Sequence, residues 1–583
     1  MDRKDVATAL EEVAVLLELK GENPFKVRAY QQAARAVLSL ESDLEDLVAD
    51  GSVHKVKGIG KTIAAHIVEM VRTGRLEYLH ELVNAFPAGL LELLQIQGLG
   101  PKKVKTLYDE LGITNLGELE YACQENRLVA LKGFGAKTQA RVLTGIENLK
   151  KYRGRFLWAE VEPAALELLE RIEACPDVRR AALAGSFRRR KEVVKDLDMV
   201  AVSSAPAKVT AYLKDLAMVD ALTGGADNKL TFRLDSGLNV DLRLVSAEAF
   251  PFALQHMTGS KDHNTQLRQR AKTRGWKLNE YGLFDYDGQS RPVTDEGGLY
   301  GLLDLPFIPP ELREGLGEIE AAEGGDLPVL VEAGDLRGLF HVHSNFSDGG
   351  LSLPEIVEEC RKLGYEYVGL SDHSRTAAYA GGLSVDDLER QFAEIEALRE
   401  RVPDFGLFWG IESDILTDGS LDYPDEVLAR FDFVIASVHS NFSLPEPQMT
   451  TRLIRAVQNP FTTILGHPTG RLLLAREPYA VDLSAVLDAA VESGTLVEIN
   501  ANPHRLDLDW RELRRAARKG LKMVICPDAH SARGLGDARY GLYIARKGWL
   551  TKADLVNCVD RDETARLLRE MKSGRARPGG NGA

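Results

Sequence analysis

Hydrophobic residues recur at helical spacing through the first 150 residues, starting in MDRKDVATALEEVAVLLELKG, and predict amphipathic helices joined by short glycine turns. The period changes after about residue 153. A helical stretch from Pro163 to Ala174 is followed by β-like runs at Ala181–Leu183, Met199–Val202, Lys229–Arg233 and Leu238–Val245. In the last of these, Val240-Asp241-Leu242-Arg243-Leu244-Val245 alternates and sets Asp241 and Arg243 on one face. Gln266 to Arg274 reads as a basic helix, and the acidic, glycine-containing stretch Glu318–Asp326 reads as a linker. Beyond about residue 335, apolar strands alternate with helices such as Leu353–Leu363 and Val385–Val402, the rhythm of an α/β barrel.

One motif repeats within the helical part: Val56-Lys57-Gly58-Ile59-Gly60-Lys61, Ile96-Gln97-Gly98-Leu99-Gly100-Pro101, and Leu131-Lys132-Gly133-Phe134-Gly135-Ala136. Each is a Gly-apolar-Gly turn feeding a helix, with lysines in reach. Such a turn presents unpaired N–H groups to a phosphate. A single Gly-X-Gly is usually an ordinary turn; three with matching flanks point to a repeated grip on a nucleic-acid backbone.

The β-like part carries a different chemistry. In GSFRRRKEVVKDLDMV, Asp196 and Asp198 are two apart on a strand and so share a face, where their mutual repulsion calls for a divalent cation. Asp241 on another strand supplies a third carboxylate. The Gly185-Ser186 turn and the run Arg188 to Lys191 offer phosphate a close backbone and guanidinium donors. Two aspartates alone would more often be a solvated loop.

In the barrel-like part, His341 and His343 end one apolar strand, Asp348 follows, and His373, Glu412, His439, His467, Asp528 and His530 each sit at or just beyond a strand end. Ligand-type side chains at the carboxyl ends of parallel strands converge on one mouth. Imidazoles and carboxylates without thiolates suit Mn²⁺, Zn²⁺ or Fe.

Length and composition add bounds. The 583 residues are enough for about four domains. No apolar run has the length of a membrane span, and five scattered cysteines without a CxxC pair suggest neither a disulfide framework nor a thiolate zinc site. A reducing, cytoplasmic location is expected. The net charge of −14 argues against nonspecific coating of nucleic acid while leaving room for local basic surfaces.

The order GSFRR…DLD, VDLR, TGS…N…R, NEY, after three glycine-turn repeats, resembles a family X DNA polymerase, similar to DNA polymerase beta and closer to bacterial members. The repeats resemble helix-hairpin-helix modules, and the histidine-rich part resembles a polymerase-and-histidinol-phosphatase (PHP) domain. The resemblance implies a multidomain α/β chain. Its parts would be an N-terminal helical DNA-binding domain (1–86), a fingers-like helix-hairpin-helix domain (87–152), a nucleotidyltransferase α+β palm (153–245), a thumb (246–318), a linker (319–334) and a distorted (β/α)7-type PHP barrel (335–583).

By the same resemblance, Asp196, Asp198 and Asp241 hold two Mg²⁺ or Mn²⁺ ions for attack of a primer 3′-hydroxyl on a nucleotide. Gly185, Ser186 and Arg189 hold the triphosphate; Gly259 and Ser260 pass the sugar, Asn264 touches the base, and Arg268 lies near the template. Gly58, Gly60, Gly98, Gly100, Gly133, Gly135, Lys26 and Tyr30 contact DNA. His341, His343, Asp348, His373, Glu412, His439, His467, Asp528 and His530 hold two to three ions (Mn²⁺, Zn²⁺ or Fe). Glu412 bridges two of them, with His341, His343 and Asp528 on the first, His439 and His467 on the second, and Asp348, His373 and His530 on the third. His504 and Arg505 would hold substrate phosphate.

The implied function is gap filling in DNA repair together with a 3′→5′ exonuclease, extending to abasic sites, in a monomer whose partners are gapped or primed DNA and dNTPs. Departures from the family pattern are His256-Met257 in place of Tyr-Phe before the TGS turn, Asn239 in place of an arginine, and His66 at the lyase lysine position, where imidazole cannot form the lysine Schiff base. Two other readings remain: an end-processing nuclease or scaffold with a vestigial polymerase centre, and a small-molecule phosphatase fused to a nucleotidyltransferase.

Overall fold

The computed structural model describes every residue except 41–42, 97, 125–127, 129–130, 132, 153, 227, 378–379, 475–476 and 576–583. Gln97 and Lys132 of the second and third glycine motifs therefore lie outside the described residues. The chain forms two compact units, Met1–Arg153 and Gly154–Ala583. Among the described residues no helix is long and apolar enough to cross a membrane, and the five cysteines are free.

In the first unit, helix Arg3–Lys20 starts at a reciprocal Asp2–Asp5 cap and stops at Gly21, whose φ of 77° ends it in the left-handed region. Its apolar face, with Val6, Leu10, Val13 and Leu17, packs on Val27, Ala34 and Val37 of helix Pro24–Leu38. The three glycine motifs share one geometry. The first glycine of each has positive φ (94°, 88° and 86° at Gly58, Gly98 and Gly133). The amides of Ile59, Leu99 and Phe134 bond back three residues, to Val56, Ile96 and Leu131. Those three side chains are buried. The second glycines precede helices Lys61–Thr73, Pro101–Leu111 and Ala136–Tyr152.

The second unit opens with the short strand Phe156–Leu157 and helix Trp158–Glu173, which starts five residues before the expected Pro163. A five-stranded sheet follows, in the order Arg180–Leu183, Asp196–Val202, Asn239–Val245, Lys229–Leu234, Val219–Ala226. The edge strand Val219–Ala226 was not anticipated: its Thr-Gly-Gly sequence hides it, and its pairing is interrupted by two register shifts. Next come helices Phe250–Thr258 and Lys261–Thr273; the latter starts at the Ser260 cap, earlier than the predicted Gln266.

The linker expected over 319–334 is corrected in its first part. Glu318–Gly324 is a helix, with Glu318, Ile319, Ala321 and Ala322 buried. The Glu318 carboxylate accepts from the Gly315 and Leu316 amides at 2.8 and 2.7 Å and meets His263 Nδ1 at 2.7 Å. Acidic composition suggested solvent exposure, whereas here the acid satisfies a turn and a buried imidazole.

The last part is a seven-stranded, all-parallel sheet in sequential order: Gly338–Val342, Tyr367–Leu370, Gly406–Asp414, Phe433–Ser437, Ile464–Leu465, Leu496–Asn500 and Met523–Cys526. It curls until first and last strands meet, with His343 N donating to Ala529 O at 2.9 Å and Ala529 N to His341 O at 3.2 Å. Helices such as Leu353–Lys362 and Val385–Arg401 cover it, as the alternation predicted. The strands are buried along their length, the signature of a parallel sheet wrapped by helices.

Candidate functional site

The sheet of five strands brings the three aspartates together. Strands Asp196–Val202 and Asn239–Val245 are parallel neighbours in a register that sets Asp198 directly opposite Asp241. Asp196, two residues before Asp198, shares its face. Burial pushes the Asp198 carboxyl up to about 6, and the charges of Asp196 and Asp241 add to the shift. Burial also raises Asp241, but Lys229 at 2.9 Å and the Thr231 hydroxyl at 2.7 Å outweigh it and hold this acid below its ordinary value. Crowded acids, one of them half-protonated at about pH 6, are a donor set suited to hard divalent cations.

Gly185 lies against Asp198: a Cβ there would fall 2.0 Å from its Oδ2, so only glycine fits the turn. The Gly185–Arg188 segment is one turn of helix rather than an open loop. Arg188 binds Glu296 and Thr258 Oγ1 at 2.5 and 2.7 Å, and Arg189 is held by Glu314 at 3.1 Å and by the Thr258 carbonyl. Ser260 caps its helix through His263 N, and Gly259 has φ 68° beside Arg189. Asn264 donates to the His256 carbonyl at 2.7 Å and accepts from Gln255 at 2.8 Å, while Arg268 Nε donates to the Asn264 carbonyl at 3.2 Å. His256 and Met257 line a pocket with Arg243, Glu280 and Tyr281.

All nine ligand-type residues of the barrel gather at its mouth. Four sets have donor atoms close enough to share an ion: His343, Asp348, His373 and His530; His341, Glu412 and His467; His341, His343 and Asp528; His373, Glu412 and His439. Glu412 is central, with Oε1 at 3.2 Å from His341, 3.3 Å from His439 and 3.0 Å from His467, and Oε2 at 2.9 Å from His373. Asp528 Oδ1 lies 3.4 and 3.3 Å from His341 and His343.

The mouth fits metal. Both ring nitrogens of His343, the Nε2 of His341 and the Oε2 of Glu412 are buried without a hydrogen-bond partner, unusual for polar atoms unless an ion completes them. Burial lowers the histidines, but carboxylates raise His373 to about 10 and His439 to about 9, so the pocket draws positive charge. His343 goes the other way, lowered to about 3 by burial and by His530. Three of the ligands, His341, His467 and Asp528, hold left-handed backbone at φ 62°, 24° and 52°, a strain that clusters at functional sites.

Glu498 was missed by sequence reading. Buried on strand Leu496–Asn500, it accepts from His341 Nδ1 at 2.5 Å and from the His467 amide, orienting two ligands. Asp414 does the same for His439 Nδ1 at 2.6 Å. Its only local trace is one acid inside the apolar run Leu496–Asn500, where the sequence reading placed no strand. Arg505 Nε reaches Asp528 at 3.5 Å, whereas His504 is exposed.

In the first unit, Tyr30 OH pairs with His66 Nδ1 at 3.0 Å and Lys26 donates to Tyr78 OH at 3.0 Å. Burial pushes Tyr30 up to about 12 and lowers His66.

Fold and sites thus define a chain with two separate clusters of ligand-type side chains, one of carboxylates on an α+β sheet and one of imidazoles and carboxylates in a parallel barrel. The Helix-hairpin-helix domain family matches residues 1–76, the SAM-like Helix-hairpin-helix tandem 90–148, the DNA polymerase beta thumb 253–314 and the PHP domain 340–502. A Bacillus subtilis (strain 168) protein, "DNA polymerase/3'-5' exonuclease PolX", is 39% identical over 576 residues, 98% of this chain and 99% of the relative. A "Probable phosphatase" of Thermoanaerobacter sp. (strain X514) is 28% identical over 243 residues, covering 40% of this chain and 94% of the relative. A solved ternary complex of Leishmania infantum polymerase beta aligns over 39% of this chain and 99% of its own, with 21% identity and a TM-score of 0.26. The chain belongs to the family X DNA polymerases that carry a C-terminal PHP domain.

Proposed function

We propose that the chain fills gaps in DNA from the palm centre and shortens 3′ ends from the PHP centre, abasic sites being a further substrate of the latter. The observation that carries the reading is the register of Asp198 against Asp241 with Asp196 on the same face. Its counterpart is the convergence of nine ligands at the barrel mouth.

In the palm, Asp196, Asp198 and Asp241 would hold Mg²⁺ or Mn²⁺, and in the barrel the nine ligands would hold two to three Mn²⁺, Zn²⁺ or Fe ions. Such ions, when bound, lower the pKa of an attacking hydroxyl or water and offset charge on the transferred phosphate. The chain's own part is positioning. Gly185, Ser186 and Arg189 receive the triphosphate, Gly259 and Ser260 let the sugar approach, and Asn264 and Arg268 face base and template. In the barrel, Glu498 and Asp414 fix the imidazole tautomers, and Arg505 stands beside Asp528 to meet a phosphate oxygen. Gly58, Gly60, Gly98, Gly100, Gly133 and Gly135 set helix N-termini against the DNA backbone. Lys26 and Tyr30 receive a 5′-phosphate.

The supports for gap filling over a vestigial centre are the intact acid triad and family membership; the hairpin repeats oppose a small-molecule phosphatase. We also propose the domain limits 1–86, 87–152, 153–245, 246–318 and 335–583, a monomeric state and a cytoplasmic location. On one-nucleotide-gapped DNA, Asp198→Ala is expected to abolish nucleotide addition while 3′ shortening persists. Glu412→Ala is expected to do the converse in Mn²⁺. Extension surviving the first change, or shortening surviving the second, would overturn the corresponding half.

A further inference from the structure

The helix Ala538–Lys547 belongs to the PHP part of the chain, yet its last turns pack against the Gly185–Lys191 segment of the palm. Lys547 is fully buried. Its ammonium has three acceptors, all in the polymerase part: the Glu314 carboxylate at 2.5 Å, the Arg189 carbonyl at 2.9 Å and the Glu311 carbonyl at 3.3 Å. They match the three donors of an ammonium. One turn earlier, the Tyr543 ring lies 3.9 Å from the Arg190 guanidinium, whose other neighbour is Trp158 of the palm at 4.5 Å. Arg190 has φ 56°, a left-handed backbone that a non-glycine residue keeps only where its surroundings fix it. The PHP helix therefore fastens consecutive residues of the turn, Arg189 by its carbonyl and Arg190 by its side chain.

Charge gives this contact a consequence. Glu314 is nearly buried and faces Arg189 at 3.1 Å and Lys191 at 3.6 Å as well as Lys547. With Lys547 present, one carboxylate is shared among three cations, leaving net positive charge at the turn. Without it, the carboxylate has only Arg189 and Lys191 to draw on, and competes for them with any anionic ligand. In a water-poor site that competition is strong.

We propose that Lys547 and Tyr543 of the PHP domain are positioning residues of the polymerase centre, clamping Arg189 and Arg190 and neutralising Glu314 so that the turn offers its cations to the nucleotide triphosphate. This rests on reading the Gly185–Arg189 turn as the triphosphate grip. The test measures gap-filling kinetics of the full chain against dNTP concentration, with 3′ shortening followed on the same preparations. Lys547→Met is expected to raise KM for dNTP about tenfold, the size of one lost charge-assisted hydrogen bond, with kcat and shortening little changed. Tyr543→Leu, a milder change at a partly buried ring, is expected to raise KM about threefold, the scale of one cation–π contact, and reads the clamp even if Lys547→Met does not fold. Arg189→Ala separates the two layers. If it leaves KM unchanged, the triphosphate reading fails. If it raises KM while the folded clamp variants do not, the clamp fails alone. Extension and shortening falling in parallel would also overturn the clamp, since that is the mark of a merely structural contact.

Discussion

Asp198 carries the sharpest electrostatic consequence of any single residue. Its folded pKa of about 6 lies above the ordinary carboxylate value, so between those two values the folded chain binds more protons than the unfolded one. Stability of the metal-free protein therefore falls as pH rises through that window, and the ionised acid is a cost at neutral pH. Asp198→Asn is expected to raise the melting temperature in chelator at pH 7.5, by an effect of about 3 kcal/mol, and to leave it little changed near pH 3, below the unfolded value, where the acid is protonated in the folded and the unfolded chain alike. Calorimetry at the two pH values checks this; equal shifts at both would show that charge is not the cause. At this scale the sequence was legible where a ligand ends an apolar strand, as for His341, Glu412 and His439. It was silent where the partner is remote. Glu498 looks like one polar residue in an apolar strand until the fold sets it against His341, 157 residues away. Arg189 reads as a free phosphate donor until Glu314, 125 residues on, is seen to hold it.

Among elements, the glycine turns show two glycines with different reasons. Gly98 holds φ 88°, which an L side chain resists, while Gly100 has φ −76° with no heavy atom within 4 Å of where a Cβ would stand. The first serves the turn; among the described residues nothing crowds the second, which caps helix Pro101–Leu111 where our proposal has DNA approach its amide. Gly98→Ala is expected to destabilise the first unit by about 1–2 kcal/mol. Gly100→Ala is expected to cost under about 1 kcal/mol of stability while weakening binding of gapped DNA. Melting curves together with anisotropy on labelled DNA distinguish them, and unchanged affinity in Gly100→Ala would remove that turn from the DNA grip. The repeat was visible because its geometry is local. The edge strand Val219–Ala226 and the helix Glu318–Gly324 were not: glycines disguise the first, and the acids of the second are satisfied by groups that only the fold brings near.

Over the whole molecule, two donor sets of different character occupy one chain. The palm offers carboxylates alone; the barrel mouth offers six imidazoles with three carboxylates. Oxygen-only sites suit Mg²⁺, whereas imidazole-rich sites favour Mn²⁺, Zn²⁺ or Fe. This difference was legible in the sequence, because the ligands lie on or just beyond apolar strands, imidazoles in the barrel and carboxylates alone in the palm. The contact through Lys547 was not, because it joins residues 358 positions apart. The most direct test strips the protein of metal and follows a labelled primer on one-nucleotide-gapped DNA, reading extension and shortening from the same reaction as single metals are restored. Mg²⁺ alone is expected to support extension with little shortening, and Mn²⁺ to bring back both. Extension and shortening that rise together at the same concentrations of every metal, and vanish together in Asp198→Ala, would contradict two independent centres.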